Sequence, residues 1–356
     1  MSAPARPHWI EIDLLKGCAI LWVLLIHSKA LGDSLGFLYV IGRAVPLFII
    51  VFGLNSTLWW RRRSLPEDLA IWYETRIKRI LVPFWASLPV WWALALWYRA
   101  FGVEFHWWLP LVQIAGYALH IGTGWFVTMI VLLVLLFPGI EATARRVGIW
   151  PVLLVAVAGE LVVAHFRLDL FGRLGFMNYL TFPPRVLGHV VFGMLLATRI
   201  DRLGLVAGTV GAALWSLCVI VQQSLLWPEL NAYADAVIDF PLAVALLAAL
   251  RPLAAVPVVA PALAWLGVSS WGLYLGQMLV HNAVVYRCGI LPDMAPDLAA
   301  CNFPFVNVAS VEHLDRWLYT LVLLVGGIGF IWLGGQLLRL YGALRRAGLP
   351  LPNLAR

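Results

Sequence analysis

Ten long apolar segments divide this chain, and each has about the length that a helix needs to cross a bilayer, roughly 17–25 residues. Of the 356 residues, 62% are hydrophobic and 12% are charged, against roughly 45–50% and about 25% in a soluble domain. We therefore predict an all-α fold, a polytopic transmembrane bundle of about ten helices that forms a single domain over residues 1–356, without a separate soluble domain. The segments are 11–31, 37–59, 79–99, 123–138, 150–165, 183–199, 204–227, 235–250, 263–285 and 316–341. The stretch 107–120 between two of them is expected to be an interfacial or re-entrant helix.

The basic residues predict the orientation of this bundle. The net charge is +7, but the Lys and Arg side chains lie in short loops and form no stripe with aromatic platforms for nucleic acid. With a cytoplasmic N-terminus, 17 of the 25 Lys and Arg residues fall on the cytoplasmic side, as the positive-inside rule requires. We therefore expect both termini in the cytoplasm and a first apolar segment that is retained rather than cleaved as a signal peptide. The Trp59-Trp60 and Trp91-Trp92 pairs are expected at the lipid interface.

Two ionisable residues in the first apolar segment are the strongest local indication of function. Lys16 and His27 are eleven residues apart, which is three helical turns plus roughly 20°, so they share one face about 16 Å apart along the axis. A charged side chain inside a membrane costs roughly 2.5–3.5 kcal/mol on insertion scales and is by default a functional hypothesis. Asp13 lies one turn before Lys16 and can pair with it.

The four cysteines predict neither a metal site nor a disulfide scaffold, because none of them has the CxxC spacing. Cys18 and Cys218 lie in apolar segments and are expected to be buried thiols. Cys288 and Cys301 share one polar loop that the predicted orientation places outside. A disulfide between these two is a hypothesis that an oxidising compartment permits.

Five motifs in order along the chain carry a resemblance to a known family. They are IDLLKGCAILWVLLIH at 12–27, VPLFIIVFGL at 45–54, ETRIKRILVPFW at 74–85, GWFVTMI at 124–130 and SSWGLYLGQMLVH at 269–281. The first resembles the opening helix of the acyltransferase 3 family of bacterial membrane-bound O-acyltransferases, in which Arg or Lys is followed by ten residues and then His. Lys at this position, as in Lys16, resembles the fucose 4-O-acetylase-like branch of the family. The family's Ser-Gly-Phe is Phe52-Gly53-Leu54 here, and five residues separate Leu275 from His281 where the family has Tyr-Leu-x-His.

The resemblance implies an O-acetyltransferase of the bacterial cytoplasmic (inner) membrane, with many passes. It would move an acyl group, usually acetyl, from cytoplasmic acyl-coenzyme A to a hydroxyl of a cell-envelope glycan or glycolipid at the outer face. The co-substrate would be acetyl-CoA, and no metal would be needed. A neutral imidazole suits the base that takes the hydroxyl proton, which makes His27 the candidate. Lys16 would position the thioester, or else anchor the helix by extending its amine to the interface. Asp13 would pair with Lys16 or orient a neighbour.

Further candidates follow from the same motifs. Arg76 and Arg79 are one turn apart with Lys78 between them, and guanidinium pairs bind phosphate groups such as those of coenzyme A. Arg76, Arg79 and Lys78 are therefore the candidate residues for binding the acyl donor, although the positive-inside rule alone would also place basic residues there. Trp125, Tyr274 and His281 would line the path of the acyl group or acceptor, or else simply pack. Several other polar residues of the spans are expected to face the bundle interior and pair with one another; these are Glu160, His165, Arg185, His189 and Asp239.

Two other functions remain open from the sequence. The polar stripe of the first helix would also suit a transporter or exporter of a glycan or small molecule, although no inverted repeat is recognisable. The second alternative is a sensor or assembly component that retains the fold without catalysis. An enzyme would depend on an acyl donor, whereas a transporter or a sensor would not.

Overall fold

The computed structural model describes most of the apolar chain and fewer of the connecting loops. The described residues are 9–28, 30, 39–61, 63–64, 67–99, 109–116, 124–166, 182–223, 231–287, 302–303, 306–307 and 313–346. Within these ranges the fold is almost entirely helical, as predicted. The helices are α1 (Ile10–Ser28), α2 (Ala44–Trp60), α3 (Leu69–Arg76), α4 (Val82–Arg99), α5 (Leu109–Ile114), α6 (Trp125–Val147), α7 (Ile149–Phe166), α8 (Leu187–Arg199), α9 (Leu205–Gln223), α10 (Asn231–Val237), α11 (Asp239–Leu253), α12 (Val259–Val268), α13 (Ser270–Arg287) and α14 (His313–Arg346).

Shorter elements complete the description. Three 3₁₀ turns lie at Ile41–Arg43, Pro183–Arg185 and Ile200–Arg202, and a π-helical turn at Ile77–Leu81 joins α3 to α4. Two strands of two residues, β1 (Asn302–Phe303) and β2 (Val306–Asn307), pair antiparallel, with Asn302 opposite Asn307. These strands precede α14 and are too short to alter the helical class.

Helices coincide with all ten predicted segments, but fewer of them are long and apolar enough to cross a membrane. Among the described residues four helices qualify: Ile41–Trp60, Trp125–Val147, Leu205–Gln223 and Asp315–Leu340. A fifth span results if α12 and α13, which bend by 71° at their junction, cross together. The predicted continuous helix 263–285 is thus broken at Ser269. The count of ten spans and the cytoplasmic termini remain predictions.

Helix α1 lies at the centre of the bundle, where it contacts α2, α11, α12, α13 and α14. Its apolar side chains are distributed around the whole helix, and Leu14, Leu15, Ile20 and Leu24 are fully buried. A helix that is hydrophobic all round is expected in a core position. Most of the described surface of α9 and α14 is exposed instead, which is consistent with a lipid-facing location.

Glycines allow two helix pairs to approach closely. A Cβ on Gly53 of α2 would meet the carbonyl of Val190 on α8, and one on Gly193 of α8 would meet the carbonyl of Ile50 on α2. In the same way, a Cβ on Gly17 of α1 would meet the backbone of α12, and one on Gly267 of α12 would meet the backbone of α1. Small residues at such crossings let helix backbones pack in membranes, where little hydrophobic force drives association.

The tryptophan prediction was only partly right. Trp60 and Trp91 are buried, and the Trp60 ring packs against Trp59 and Trp72 at centroid distances of 4.7 and 5.8 Å. They form part of the core rather than an interfacial belt.

Candidate functional site

A cavity of about 160 Å³ lies where α1, α2, α6 and the bent α12–α13 pair meet the end of α3. Three cationic side chains line it, together with Asn55, Ser270 and a mostly apolar wall. The cations are Lys16, Arg76 and Arg79. The remaining lining residues are Val23, Val45, Phe48, Val51, Phe52, Ile80, Phe126, Ile130, Gly267, Val268, Trp271 and Tyr274. A cavity that is apolar with a few convergent charged groups is the usual form of a ligand site.

The helix break and the π turn both shape this cavity. Gly267, Val268 and Ser270, on either side of the α12–α13 bend, line one wall. On another wall, Arg76 is the last residue of α3 and Arg79 lies within the π turn. Single π turns often mark functional sites because they change the direction of side chains locally. The cavity therefore lies where two helices are irregular.

Arg76 is held beside an aromatic ring and lacks a full set of partners. Its guanidinium carbon lies 4.2 Å from the centre of the Trp72 ring, and its Nε is buried without a hydrogen-bond acceptor among the described residues. Burial, with a further contribution from the Arg79 guanidinium, lowers the pKa of Arg76 to about 10. It remains a cation at neutral pH, in surroundings where an anion would be favourable.

The other predicted cations differ in their surroundings. Lys16 makes an ion pair with Asp13, which is buried, while its side chain also lines the cavity. Lys78 points away from this group: its Nζ lies 2.6 Å from a carboxylate oxygen of Glu74, and it does not line the cavity. Arg76 and Arg79 are thus brought together with Lys16, and Lys78 is not.

His27 lies near the cavity but belongs to a second group of polar side chains. Its Nδ1 is 2.9 Å from Oε1 of Gln277, and because a carbonyl oxygen only accepts, this nitrogen donates. The His27 ring stacks on that of His281 with centroids 4.8 Å apart and planes inclined at 27°. His281 Nδ1 is in turn 2.8 Å from the hydroxyl of Tyr319. Helices α1, α13 and α14 therefore meet through a chain of polar contacts.

The two groups are one helical turn apart. Val23 and Tyr274 line the cavity. They precede His27 and Gln277 by four residues on α1 and three residues on α13, which is about 4.5–6 Å of rise. Neither His27 nor His281 lines the cavity itself. Between the groups, Phe126, Trp271 and Tyr274 pack with centroids 5.4–6.4 Å apart. Trp125 packs behind Phe126, at 6.0 Å, and does not line the cavity.

Three of the other polar residues of the spans, Glu160, His189 and Asp239, pair inside the bundle, as the sequence suggested without naming the pairs, whereas His165 is exposed. His189 of α8 lies between two carboxylates: its Nδ1 is 2.9 Å from Glu160 and its Nε2 is 3.1 Å from Asp239. Arg43 approaches Asp239 at 3.9 Å, and His165 bonds the Tyr233 hydroxyl at 2.6 Å. This cluster joins α7, α8 and α11 away from the cavity.

Cys288 and Cys301 lie outside the described residues, so the predicted disulfide stays a prediction. Cys18 and Cys218 are free thiols. The described chain contains no group of three or more His, Cys, Asp and Glu side chains placed to hold a metal ion.

Sequence reasoning did not single out Gln277 or Tyr319. Gln277 occupies the last position of the Tyr-Leu-x-His pattern counted from Tyr274, so the motif contained a signal that could have found it. Tyr319 lies 38 residues from His281 on another helix, and nothing local marks it.

The fold and the site define a helical membrane protein with a basic cavity that approaches a hydrogen-bonded histidine. A family model described as an acyltransferase domain, that of acyltransferase 3, matches residues 9–336 of the chain. The chain therefore belongs to the acyltransferase 3 family and is an acyltransferase. Neither the curated proteins nor the solved structures contain a match to it.

Proposed function

We propose that this acyltransferase is an integral-membrane O-acyltransferase that takes an acetyl group from acyl-coenzyme A and transfers it to a hydroxyl. The observation that supports this most is the cavity, which is lined by Lys16, Arg76 and Arg79 and which extends to Val23, one helical turn before His27. A donor with several phosphates and a thioester needs such an arrangement: cations for the phosphates and a base near the reacting carbonyl.

The two arginines are the proposed phosphate-binding residues. Arg79 is exposed at the cavity, whereas Arg76 is partly buried against Trp72, so a phosphate group can meet one guanidinium at the surface and the other further in. Arginine binds phosphate oxygens through two parallel N–H donors. Lys16 is the proposed contact for a group deeper in the cavity, with Asp13 holding its ammonium.

His27 is the proposed general base. Because its Nδ1 donates to Gln277, its Nε2 carries the lone pair and can take the proton of an acceptor hydroxyl. The hydroxyl oxygen then bonds to the acyl carbon and the carbon–sulfur bond breaks. The proton on Nε2 passes to the departing thiolate, which restores the neutral imidazole and completes the transfer without a metal.

The orientation and acceptor belong to the same proposal. The positive-inside asymmetry supports a cytoplasmic location for the Arg76 and Arg79 end, which is where acyl-coenzyme A is found. His27, about 16 Å along α1 from Lys16, then lies toward the outer face. The proposed acceptor is a glycan or glycolipid of the cell envelope, and the proposed location is the bacterial cytoplasmic membrane.

Membrane vesicles of opposite sidedness test the function and the orientation together. Vesicles containing the protein are prepared inside-out and right-side-out, and the release of free coenzyme A thiol is measured after acetyl-CoA is added outside. We expect protein-dependent release, coupled to O-acetylation of vesicle glycolipid, only in inside-out vesicles. Release confined to right-side-out vesicles would refute the orientation, and substrate flux without consumption of acetyl-CoA would favour a transporter.

A further inference from the structure

Two helix irregularities shape the cavity, and a hydrogen bond joins them. The indole Nε1–H of Trp271 donates to the carbonyl oxygen of Ile80 at 3.0 Å. Trp271 is the second residue of α13, next to the bend between α12 and α13, and Ile80 lies within the π turn. Both residues line the cavity. Because they are 191 residues apart in the chain, the bond fixes one wall of the cavity to another.

The π turn carries one of the two arginines proposed to bind the donor phosphates. Arg79 directly precedes Ile80, and its exposed side chain lines the cavity without a hydrogen bond or ion pair to any described residue. The backbone of the turn, rather than a side-chain partner, therefore places this guanidinium. The extensive contacts of the turn are with its chain neighbours α3 and α4. The bond from Trp271 attaches it to a helix from a distant part of the chain.

The ring of Trp271 is held firmly enough to act as a support. It stacks on Tyr274 with centroids 5.5 Å apart and planes inclined at 21°, and its centroid lies 6.4 Å from that of Phe126. Binding groups are kept in productive geometry by neighbours whose own rotamers are fixed by packing. The N–H of Trp271 is thus a donor in a fixed position, and the π turn is the element that it holds.

Trp85 makes the same kind of bond in a different place. Its indole N–H donates to the Ile114 carbonyl at 2.8 Å, also between two helices, but neither of these residues lines the cavity. A bond from tryptophan to a backbone carbonyl is therefore not in itself a sign of a site. Trp271 differs because its acceptor belongs to the turn that carries Arg79.

We propose that Trp271 is a positioning residue for the acyl donor, whose N–H holds the π turn at Ile80 and so directs the Arg79 guanidinium toward the phosphate groups of acyl-coenzyme A. This inference rests on the proposed function. Because Trp271 acts through Arg79, it contributes to the binding of the phosphate-bearing part of the donor and not to proton transfer at His27. Its loss therefore weakens only donors that carry those phosphates.

Two substitutions and two donors separate this role from packing. Trp271→Phe keeps an aromatic ring beside Tyr274 and removes the bond to Ile80, and Trp85→Phe removes the matched bond elsewhere. The purified proteins in lipid nanodiscs are assayed with acetyl-CoA and with S-acetylpantetheine, which keeps the thioester and lacks every phosphate.

We expect Trp271→Phe to raise the KM of acetyl-CoA by about 3–10-fold, the effect of losing one hydrogen bond, with kcat within about twofold of wild type. The ratio kcat/KM for S-acetylpantetheine should stay within about twofold of wild type, as should both constants of Trp85→Phe. Equal losses with the two donors would contradict the proposal, since they would limit Trp271 to packing in the cavity wall. An unchanged KM for acetyl-CoA would also contradict it, whereas a wild type that does not use acetyl-CoA would overturn the proposed function.

A double substitution tests whether Trp271 acts through Arg79. If it does, Trp271→Phe/Arg79→Ala has the same KM for acetyl-CoA as Arg79→Ala alone, because the second change removes what the first one misplaces. Effects that multiply in the double variant would contradict the proposal. This comparison needs acetyl-CoA only, so it decides even where S-acetylpantetheine reacts too slowly to measure.

Hydrogen–deuterium exchange follows the π turn directly. Mass spectrometry of the segment 77–81 is expected to show amide exchange at least about threefold faster in Trp271→Phe than in wild type or Trp85→Phe, because a tie that opposes local opening is lost. Equal exchange in the three proteins would contradict the proposal. If Trp271→Phe does not assemble, a tryptophan analogue in which sulfur replaces the indole N–H, incorporated at position 271 alone, removes the donor with the ring retained and gives the same readouts.

Discussion

The surroundings of Arg76 favour the binding of an anion. It combines a stacked aromatic ring, a neighbouring cation, a buried Nε without an acceptor in the described chain and a position on the cavity. A basic residue present only to satisfy the positive-inside rule needs none of these features. At the scale of single residues, this contrast supports donor binding more than the number of charges does.

Replacement of Arg76 by Ala is expected to raise the KM of acetyl-CoA by about 10–100-fold, because charge-assisted hydrogen bonds contribute roughly 1.5–3 kcal/mol each. The value of kcat should change much less. Arg61→Ala, which removes an exposed charge at the end of α2 that does not line the cavity, is the control and should leave KM within about twofold. Steady-state kinetics at varied acetyl-CoA makes the comparison, and equal KM increases in the two variants would indicate a general charge effect.

The residues of the candidate site could be predicted to different extents. The three-residue spacing placed Arg76 and Arg79 on one face, and both line the cavity. Lys78, which we predicted to bind the donor with them, pairs with Glu74 instead and does not line the cavity. The spacing of Lys16 and His27 predicted a common face but no partner, because Gln277 is 250 residues away. Such a contact depends on how α1 packs against α13, and no local pattern in the sequence encodes it.

At the scale of elements, the closest helix crossings depend on positions without a side chain. The α2–α8 pair has the most extensive contact among the described helices. In this pair, Gly53 of α2 lies against the backbone of α8, and Gly193 of α8 lies against the backbone of α2. Gly53 also belongs to the second motif that carries the family resemblance. Its place in that motif therefore has a packing explanation that does not involve the missing Ser hydroxyl.

Gly53→Ala is expected to destabilise the protein by about 1–3 kcal/mol, the usual range for overpacking, because the new Cβ would collide with the Val190 carbonyl. The midpoint of thermal unfolding in detergent, followed by tryptophan fluorescence, measures the effect. Gly329→Ala is the matched control: its Cβ would meet nothing within 4 Å, and the helix preference of Ala makes a small gain possible, up to about 1 kcal/mol. Equal unfolding midpoints for the two variants would mean that α2 and α8 can move apart at this crossing without loss of stability, which would contradict the prediction.

Hydropathy predicted the location of the helices better than their form. Long apolar segments identify chain that leaves water, so each of the ten predictions falls on a helix. The 71° bend between α12 and α13 could not be read from the same property, because apolar residues lie on both sides of Ser269. The bend lies two residues after Gly267, which packs against the backbone of Asp13 on α1; this is a tertiary contact that hydropathy does not show.

At the scale of the whole molecule, the polar groups divide into a set at or near the cavity and a set that joins helices elsewhere. Lys16, Arg76, Arg79 and His27 surround or approach the cavity, and the Glu160, His189 and Asp239 cluster joins helices elsewhere. The sequence predicted that the second group would pair because isolated charges are unfavourable in a membrane. Which residues pair depended on the arrangement of α7, α8 and α11, which hydropathy leaves undetermined.

The central claim is that His27 performs the proton transfer in acyl transfer from a donor bound in the basic cavity. It is tested most directly by comparing wild type with His27→Ala in nanodiscs that contain acceptor glycolipid, with the release of coenzyme A as the rate and retained acetyl-CoA binding as the control for folding. A positioned base contributes about 10²–10⁴-fold, so we expect the variant to bind acetyl-CoA normally and to lose at least about a hundredfold in turnover. Turnover at the wild-type rate by a folded His27→Ala protein would contradict the account.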